Sequence, residues 1–307
     1  MHSFDYTLVV PTYNGGDLWK QCVAGILNLS FSPSSVLVVD SSSSDDTCLI
    51  AEKAGFHVVS IPQSEFDHGG TRTYSLQFVK TDYVVFLTQD AILEAGDSVA
   101  KLLSIFVDKN IGAAFGRQLP HYDSNPLSSF ARLCNYRAES YVTNLQSSEP
   151  KGFKKAYLSN SFAAYRVCML KDQGAFPSKL ILAEDFYVAA KLLVAGRSIA
   201  YVSDACVRHS HNYSVLEEFK RYFDIGVSHT TQQWMLDELG GVEGEGVKFA
   251  VNQLLNMIEK KKYHWIIPSV FASIAKFIGY KLGRNYNKLP KFLCYRFSMY
   301  KGYWKNN

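Results

Sequence analysis

The chain lacks most of the signatures that would brace it or mark it for a redox cofactor. Its six cysteines, Cys22, Cys48, Cys134, Cys168, Cys206 and Cys294, form no C-x-x-C pair or other metal-ligand spacing. That argues against a zinc scaffold and for unpaired thiols in a reducing compartment. No G-x-G-x-x-G occurs, so a dinucleotide cofactor is not expected. The opening MHSFDYTLVVPTYNGG carries neither a basic leader nor a long apolar stretch, so no signal peptide and a cytoplasmic location are expected. There is no low-complexity tract and no internal repeat. Residues 260–307 contain no Asp or Glu at all.

What the chain does have is enough apolar residue, 47% of 307, to bury one large α/β domain and a smaller appendage. Its charge is uneven. Residues 260–307 hold eleven Lys/Arg, whereas the rest carries 21 Lys/Arg against 28 Asp/Glu. A mildly acidic body with a basic tail points the tail at an anionic surface.

Strand and helix patterns alternate through the first half, which predicts a mostly parallel sheet flanked by helices. Strands are expected at Tyr6–Val10, Val36–Val39, His57–Ile61, Tyr83–Thr88 and Ile111–Gly116, with helices at Asp17–Leu29, Thr71–Lys80 and Gly96–Val107. Regularity fades from Arg117 to Leu158. It returns with Ser161–Tyr165, a helix over Ala183–Ala195 and a strand over Ser198–Val202, and helices dominate from about Gly246.

The turn Pro11-Thr12-Tyr13-Asn14-Gly15-Gly16 follows the first strand, where α/β sheets bind ligands, and its free N–H groups suit a nucleotide. In Val38-Val39-Asp40-Ser41-Ser42-Ser43-Ser44-Asp45-Asp46-Thr47 a buried strand delivers Asp40 to the sheet edge, placed to accept from a base or ribose. Asp45 and Asp46 suit helix capping as well as ligand binding. Arg72, after Gly69-Gly70, offers a guanidinium to a phosphate; Asp67 and His68 stand beside it toward nucleotide or sugar.

The string VVPTYNGG…VLVVDSSSSDDT resembles the start of family 2 glycosyltransferases with the GT-A fold. Phe66-Asp67-His68-Gly69-Gly70-Thr71-Arg72, Phe86-Leu87-Thr88-Gln89-Asp90-Ala91, Glu184-Asp185 and His209-Ser210-His211-Asn212-Tyr213-Ser214 extend the resemblance in order over residues 6–215. The variants HGGTR, LTQDA, GRQLPH and HSHNYS look like bacterial rhamnosyltransferases that use dTDP-L-rhamnose. The resemblance implies a GT-A, Rossmann-like catalytic domain over 1–245, with a nucleotide part at about 1–117 and an acceptor part at about 118–245. Residues 246–307 would form a C-terminal helical, basic-aromatic extension.

Transfer from a nucleotide diphosphate sugar needs the leaving diphosphate neutralised and an acceptor hydroxyl deprotonated. A divalent cation, Mg²⁺ or Mn²⁺, meets the first need, and Asp90 at the end of a central strand is its expected anchor. The usual Asp-x-Asp is here Thr88-Gln89-Asp90, which leaves one carboxylate, with Gln89 beside it at the donor. The resemblance maps a further metal ligand onto His209, with His211 as the alternative; the two share a strand face. It makes Asp185 the base and Glu184 its acceptor-binding or structural support, although acids in a first helical turn often serve only the dipole, worth about 0.3–1 kcal/mol. One base opposite one leaving group implies inversion. His229 is a further candidate for the diphosphate or acceptor.

Tyr263–Tyr280 is apolar and aromatic but is interrupted by Pro268 and Lys276, and the basic-aromatic stretch after it suits a helix lying in a membrane interface. Each basic residue near an anionic leaflet contributes about 1 kcal/mol. The tail is thus read as peripheral to the inner face of the cell membrane, with a lipid-linked glycan acceptor and no nucleic acid as partner; packing of the tail on the catalytic domain is the alternative. Three rival functions are another nucleotide-sugar donor, a nucleotidyltransferase, and a non-catalytic sugar- or lipid-binding module. The second fits poorly because PTYNGG has no basic residue. Processive synthases are disfavoured because Gln232-Gln233-Trp234 does not complete Q-x-x-R-W.

Overall fold

The computed structural model describes residues 4–29, 36–241 and 244–305. Residues 306–307, at the end of the expected tail, and 242–243, just before its expected boundary, lie outside them. Among the described residues one sheet contains β1 (Tyr6–Thr12), β2 (Val36–Asp40), β3 (His57–Ser60), β4 (Tyr83–Leu87), β5 (Ile92–Leu93), β6 (Ile111–Leu119), β7 (Tyr141–Thr143), β8 (Phe162–Arg166) and β9 (Ser198–Arg208). The order is β3-β2-β1-β4-β8-β6-β9-β5, and β7 also pairs with β9.

Strands β3, β2, β1 and β4 pair in parallel, as do β6 and β9; β8 runs antiparallel between β4 and β6. With β5 and β7 also reversed against β9, the sheet is mixed, with most strands sharing one direction. This direction places the functional edge. The carboxyl ends of β1, β2, β4, β6 and β9 arrive on the same side, and β8 begins there because it is reversed.

The strands form because their residues are buried on both faces. β2 and β4 are buried at every position, which explains their unbroken apolar runs. Val9, Leu37, Val39, Val84 and Phe86 enter one core. Leu8, Val10, Val36, Val38, Val85 and Leu87 enter the other, as the period of two requires. Helices α1 (Gly16–Leu27), α2 (Thr47–Lys53), α3 (His68–Ser75), α4 (Ser98–Ser104), α5 (Pro126–Asn135), α6 (Val167–Asp172) and α7 (Glu184–Val194) accompany the sheet. α1 places Trp19, Cys22, Val23 and Ile26 in the second core, and α7 places Val188, Ala189, Leu192 and Leu193 in the first.

Two local expectations change. The helix expected over Thr71–Lys80 starts at His68 and ends at Ser75, because the Asp67 side chain caps it by accepting from Gly70 N–H at 2.5 Å. The stretch without regular pattern, 117–158, contains the end of β6, then α5 and β7. Asn125 caps α5, and Pro126 opens it, a start signal readable in the sequence.

The C-terminal part comprises α8 (Val215–Thr231), α9 (Gln233–Leu239), α10 (Glu245–Glu259), α11 (Ile266–Arg284), α12 (Lys291–Phe297) and α13 (Lys301–Lys305). α8 and α11 meet backbone to backbone. A Cβ on Gly283 would lie 2.0 Å from Phe223 O, one on Gly279 2.3 Å from Phe219 O, and one on Gly226 2.5 Å from Tyr280 O. Further along, Cys294 and Trp304 join Phe223, Val227 and Ile181 in a third core. The Asp224 carboxylate accepts from Met299 N–H at 2.9 Å and Tyr300 N–H at 3.0 Å, pinning the tail to α8. The tail therefore packs on the body, while one side of α11 stays open: Ile267, Phe271, Ile274, Phe277 and Ile278 are all exposed.

Candidate active site

The loop after β1 is held by hydrogen bonds from three directions. Thr12 Oγ1 donates to Asp40 Oδ1 at 2.9 Å, and Ser43 donates to the same carboxylate from N–H (2.8 Å) and Oγ (2.6 Å). Asp40 is thus buried and committed to joining the β1 and β2 loops, rather than presenting free oxygens to a base. Gln89 makes a reciprocal pair with the Tyr13 backbone, accepting N–H at 2.8 Å and donating to O at 3.0 Å. Asn14 adopts the left-handed region, φ 44°, and its Oδ1 accepts from Ser44 N–H at 2.8 Å. Asp45 accepts from Thr47 and from Gly16 N–H. These bonds fix the Pro11–Asn14 backbone and leave the Tyr13 ring exposed.

Asp90, His209 and His211 converge where β4 and β9 end, with their potential ligand atoms all within 4.8 Å of one another. Asp90 Oδ2 stands 3.5 Å from His209 Nε2 and 3.7 Å from His211 Nε2. The tautomer of His209 follows from its neighbours. Gln118 Oε1 accepts from Arg132 Nη1 at 2.8 Å and faces His209 Nδ1 at 2.9 Å. Arginine only donates, so that atom is the amide oxygen and Nδ1 carries a hydrogen. The ring is thereby oriented with Nε2 facing Asp90, and an imidazole nitrogen and a carboxylate oxygen at this distance could share a cation. Burial and then His209 lower the His211 pKa to about 4. Burial works against ionising Asp90, but His209 and His211 outweigh it and keep the carboxyl below its usual range. One carboxylate and two imidazoles suit Mn²⁺ better than the oxygen-preferring Mg²⁺, with positions left for phosphate oxygens.

The acid pair sits at the head of α7. Ala183, just before it, holds the left-handed φ of 69°, a strained turn for a non-glycine residue. Buried Glu184 lies 3.0 Å from Arg72 Nη1 and accepts from Asn160 Nδ2 at 3.1 Å. Arg72, 5% exposed, also donates to His68 O at 2.8 Å. It is the buried partner of Glu184, not a free phosphate clamp. The glycines before it serve protein packing, since a Cβ on Gly69 would lie 1.9 Å from Pro177 O. Asp67 is likewise spent on protein, accepting from Lys179 N–H at 3.0 Å besides its cap. His68 lies against Tyr300 of the tail, ring centroids 4.7 Å apart and planes tilted by 39°.

Asp185 accepts from Phe186 N–H at 2.8 Å and Asn160 N–H at 3.2 Å. Burial, then the Glu184 charge, raises its pKa to about 7, the range of a general base at neutral pH. Hydrogen bonds and one peptide link join the two clusters: His209 to Gln118, Gln118 Nε2 to Ser159 Oγ at 2.9 Å, and the next residue, Asn160, to both acids. Gln118 and Asn160 were not singled out from sequence, nor was His121, which donates from Nε2 to Asp90 O at 3.1 Å. Only the string GRQLPH held a hint of two of them. His229 is buried in α8, with Nδ1 3.1 Å from Tyr280 Oη and its ring against Phe153. It lines a cleft that begins at His211 and Tyr213.

A group that could hold a cation and a carboxyl whose pKa is raised to about 7 thus stand at the ligand-binding edge of one sheet, and the architecture is that of a GT-A glycosyltransferase. The fold is shared with the mannosyltransferase PcManGT from Pyrobaculum calidifontis, solved in complex with GDP-Man and Mn²⁺. The TM-score is 0.64 at 16% identity, over 94% of this chain and 89% of that one. The chain belongs to glycosyltransferase family 2: the family profile described as "Glycosyltransferase like family 2" matches residues 3–224. The O-antigen chain rhamnosyltransferase WbaN of Salmonella anatum is 44% identical over 303 residues, 98% of this chain and 96% of that protein. RfbN of Salmonella typhimurium (strain LT2), with the same description, is 42% identical over 302 residues, again 98% and 96%. The fold and family read from the sequence are borne out.

Proposed function

We propose that the protein transfers L-rhamnose from dTDP-L-rhamnose, with inversion, to a hydroxyl of a lipid-linked O-antigen precursor. The observation that carries this reading is identity of 42–44% along almost the whole chain to two O-antigen chain rhamnosyltransferases. Asp90, His209 and His211 would hold Mn²⁺ or Mg²⁺, which when bound neutralises the charge gathering on the departing dTDP. The rigid Pro11–Asn14 loop, locked by Gln89 and Asp40, receives the nucleotide. Asp185 accepts the proton of the acceptor hydroxyl as its oxygen bonds to the anomeric carbon and the bond to the phosphate oxygen breaks. Glu184, fixed by Arg72 and Asn160, holds Asp185 in place and keeps it from ionising too early.

The protein works at the inner face of the membrane, seated through α11. The segment Tyr263–Arg284, 22 residues with mean hydropathy 1.2, is long and apolar enough to cross a bilayer. Its other face, however, is committed to α8, and Lys276 pairs with Glu218 at 3.0 Å. A helix with one face packed on protein and the other apolar lies in an interface, and basic residues around it add attraction to anionic lipid.

Testing nucleotide sugars one at a time, with Mn²⁺ and a lipid-linked acceptor, checks the reading. Product from dTDP-L-rhamnose alone is expected. Equal turnover with another nucleotide sugar would refute the donor, and nucleotidyl transfer would refute the reaction.

A further inference from the structure

A cleft of about 450 Å³ opens from His211 and Tyr213 and runs between α5, α8, α10 and α11, away from the donor loop. Its lining carries Arg132, Arg137, Lys154, Arg221, Lys248 and Lys276, against two carboxylates, Glu218 and Glu245. Both carboxylates are already taken, Glu218 by Lys276 at 3.0 Å and Glu245 by Lys154. Among the described residues, Arg132, Arg137, Arg221 and Lys248 therefore have no carboxylate partner. Such an excess of one sign in a cleft concentrates anions. Arg132 links the cleft to the metal ligands through the same Gln118 oxygen that orients His209.

The walls add a second feature. Tyr213, Tyr222, Phe249 and Tyr280 line the cleft, and Arg221 lies over the rings of Tyr213 and Tyr222 at 5.8 and 6.0 Å. Aromatic faces beside cations suit a sugar next to a phosphate. The helices that form the far wall, α10 and α11, carry exposed apolar residues outside it: Val247, Val251 and Leu255 on the first, Phe271, Ile274 and Phe277 on the second. From His211 outward the lining is cationic and aromatic, and the outer faces of α10 and α11 are apolar.

We propose that this cleft seats the acceptor, an anionic glycolipid whose reacting sugar lies toward His211 and whose phosphate or diphosphate is held by Arg137, Arg221 and Lys248. The proposal rests on the glycosyl-transfer reading and adds the place in the fold where the acceptor's phosphate is held. The lipid leaves the cleft over the apolar faces of α10 and α11. Phosphate binding then positions the acceptor hydroxyl, so its contribution falls on acceptor KM.

The test uses the full chain in neutral detergent, saturating dTDP-L-rhamnose, and two acceptors with the same sugar and alkyl chain. One acceptor carries a diphosphate link and the other a neutral glycosidic link. The diphosphate acceptor is expected to show a KM lower by about tenfold or more, the equivalent of one or two charge-assisted contacts, and added NaCl should erode that advantage. The exposed pair Arg137→Gln with Lys248→Gln should raise KM for the diphosphate acceptor by about tenfold. Its kcat, donor KM and the KM of the neutral acceptor should stay unchanged. Equal KM for the two acceptors with the unaltered chain, or a variant that weakens both alike, overturns the proposal while leaving glycosyl transfer intact. Turnover with neither acceptor overturns the donor reading and the cleft together.

Discussion

Asp185 offers the sharpest test of the chemistry, because its environment sets a pH limb that a neighbour should move. Burial and the Glu184 charge raise its pKa from 3.8 to about 7. Only the ionised form accepts a proton, so kcat/KM should rise with unit slope up to about pH 7 and level above it. At pH 6 about a tenth of the activity should remain, and at pH 5 about a hundredth. Glu184→Gln removes the neighbouring charge and frees the Arg72 cation, both of which favour ionisation. The limb should therefore slide to lower pH by on the order of one unit. Asp185→Asn should lower turnover by about 10²–10⁴-fold with dTDP affinity unchanged. The assay is release of dTDP from dTDP-L-rhamnose at initial rate, between pH 5 and 9. Repeating it at tenfold higher Mn²⁺ separates this limb from proton competition at the histidines, since only the latter moves with metal concentration. A flat profile down to pH 5, a limb unmoved by Glu184→Gln, or full turnover in Asp185→Asn refutes the assignment. The same shift has a stability sign. A carboxyl whose pKa is raised in the folded chain binds its proton more tightly there, so its contribution is complete below about pH 3.8 and is lost as pH climbs through about 7. The form that does the chemistry is the form the fold tolerates least.

Gln118→Ala should weaken activation by Mn²⁺ by about 10–100-fold, because His209 loses the acceptor that fixes its tautomer; unchanged metal titration would discount the orienting role. Gly283→Val drives a side chain into Phe223 O and should cost about 1–3 kcal/mol or more in chemical denaturation, so a neutral result would contradict the backbone contact. Phe271→Asp with Phe277→Asp, both on the exposed side of α11, should abolish flotation with anionic vesicles while the circular dichroism spectrum is kept. Retained flotation would count against membrane seating by that face.

The fold was readable wherever burial left a clear period. β1, β2, β4 and the helix α7 stand within about two residues of their expected bounds, because a strand buried on both faces admits little except Val, Leu, Ile and Phe. β9 runs past its expected end at Val202 to Arg208, and His209 and His211 lie just beyond it rather than on one strand face. Less legible were side chains whose task depends on partners distant in sequence. Arg72 looked like a phosphate ligand because nothing in HGGTR announces Glu184, 112 positions on. Gln118 and Asn160 are ordinary polar residues until β6 and β8 arrive side by side at the same edge. Asp40 was placed correctly at the edge, but its hydrogen-bonding capacity is absorbed by Thr12 and Ser43. Chain-local chemistry could be read directly; pairings created by sheet order could not.

Glycine at 226, 279 and 283 leaves α8 and α11 no cushion of side chains between them, so the two move as one solid piece. If the outer side of α11 floats among lipid headgroups, the catalytic pocket then hovers at a constant altitude above the bilayer. Such an enzyme behaves like a plane set to one depth: it reaches a hydroxyl a short way from the lipid and misses the same sugar farther out. The position at which rhamnose enters a growing chain would then be measured by a ruler built into the protein, as well as by recognition of the sugar itself.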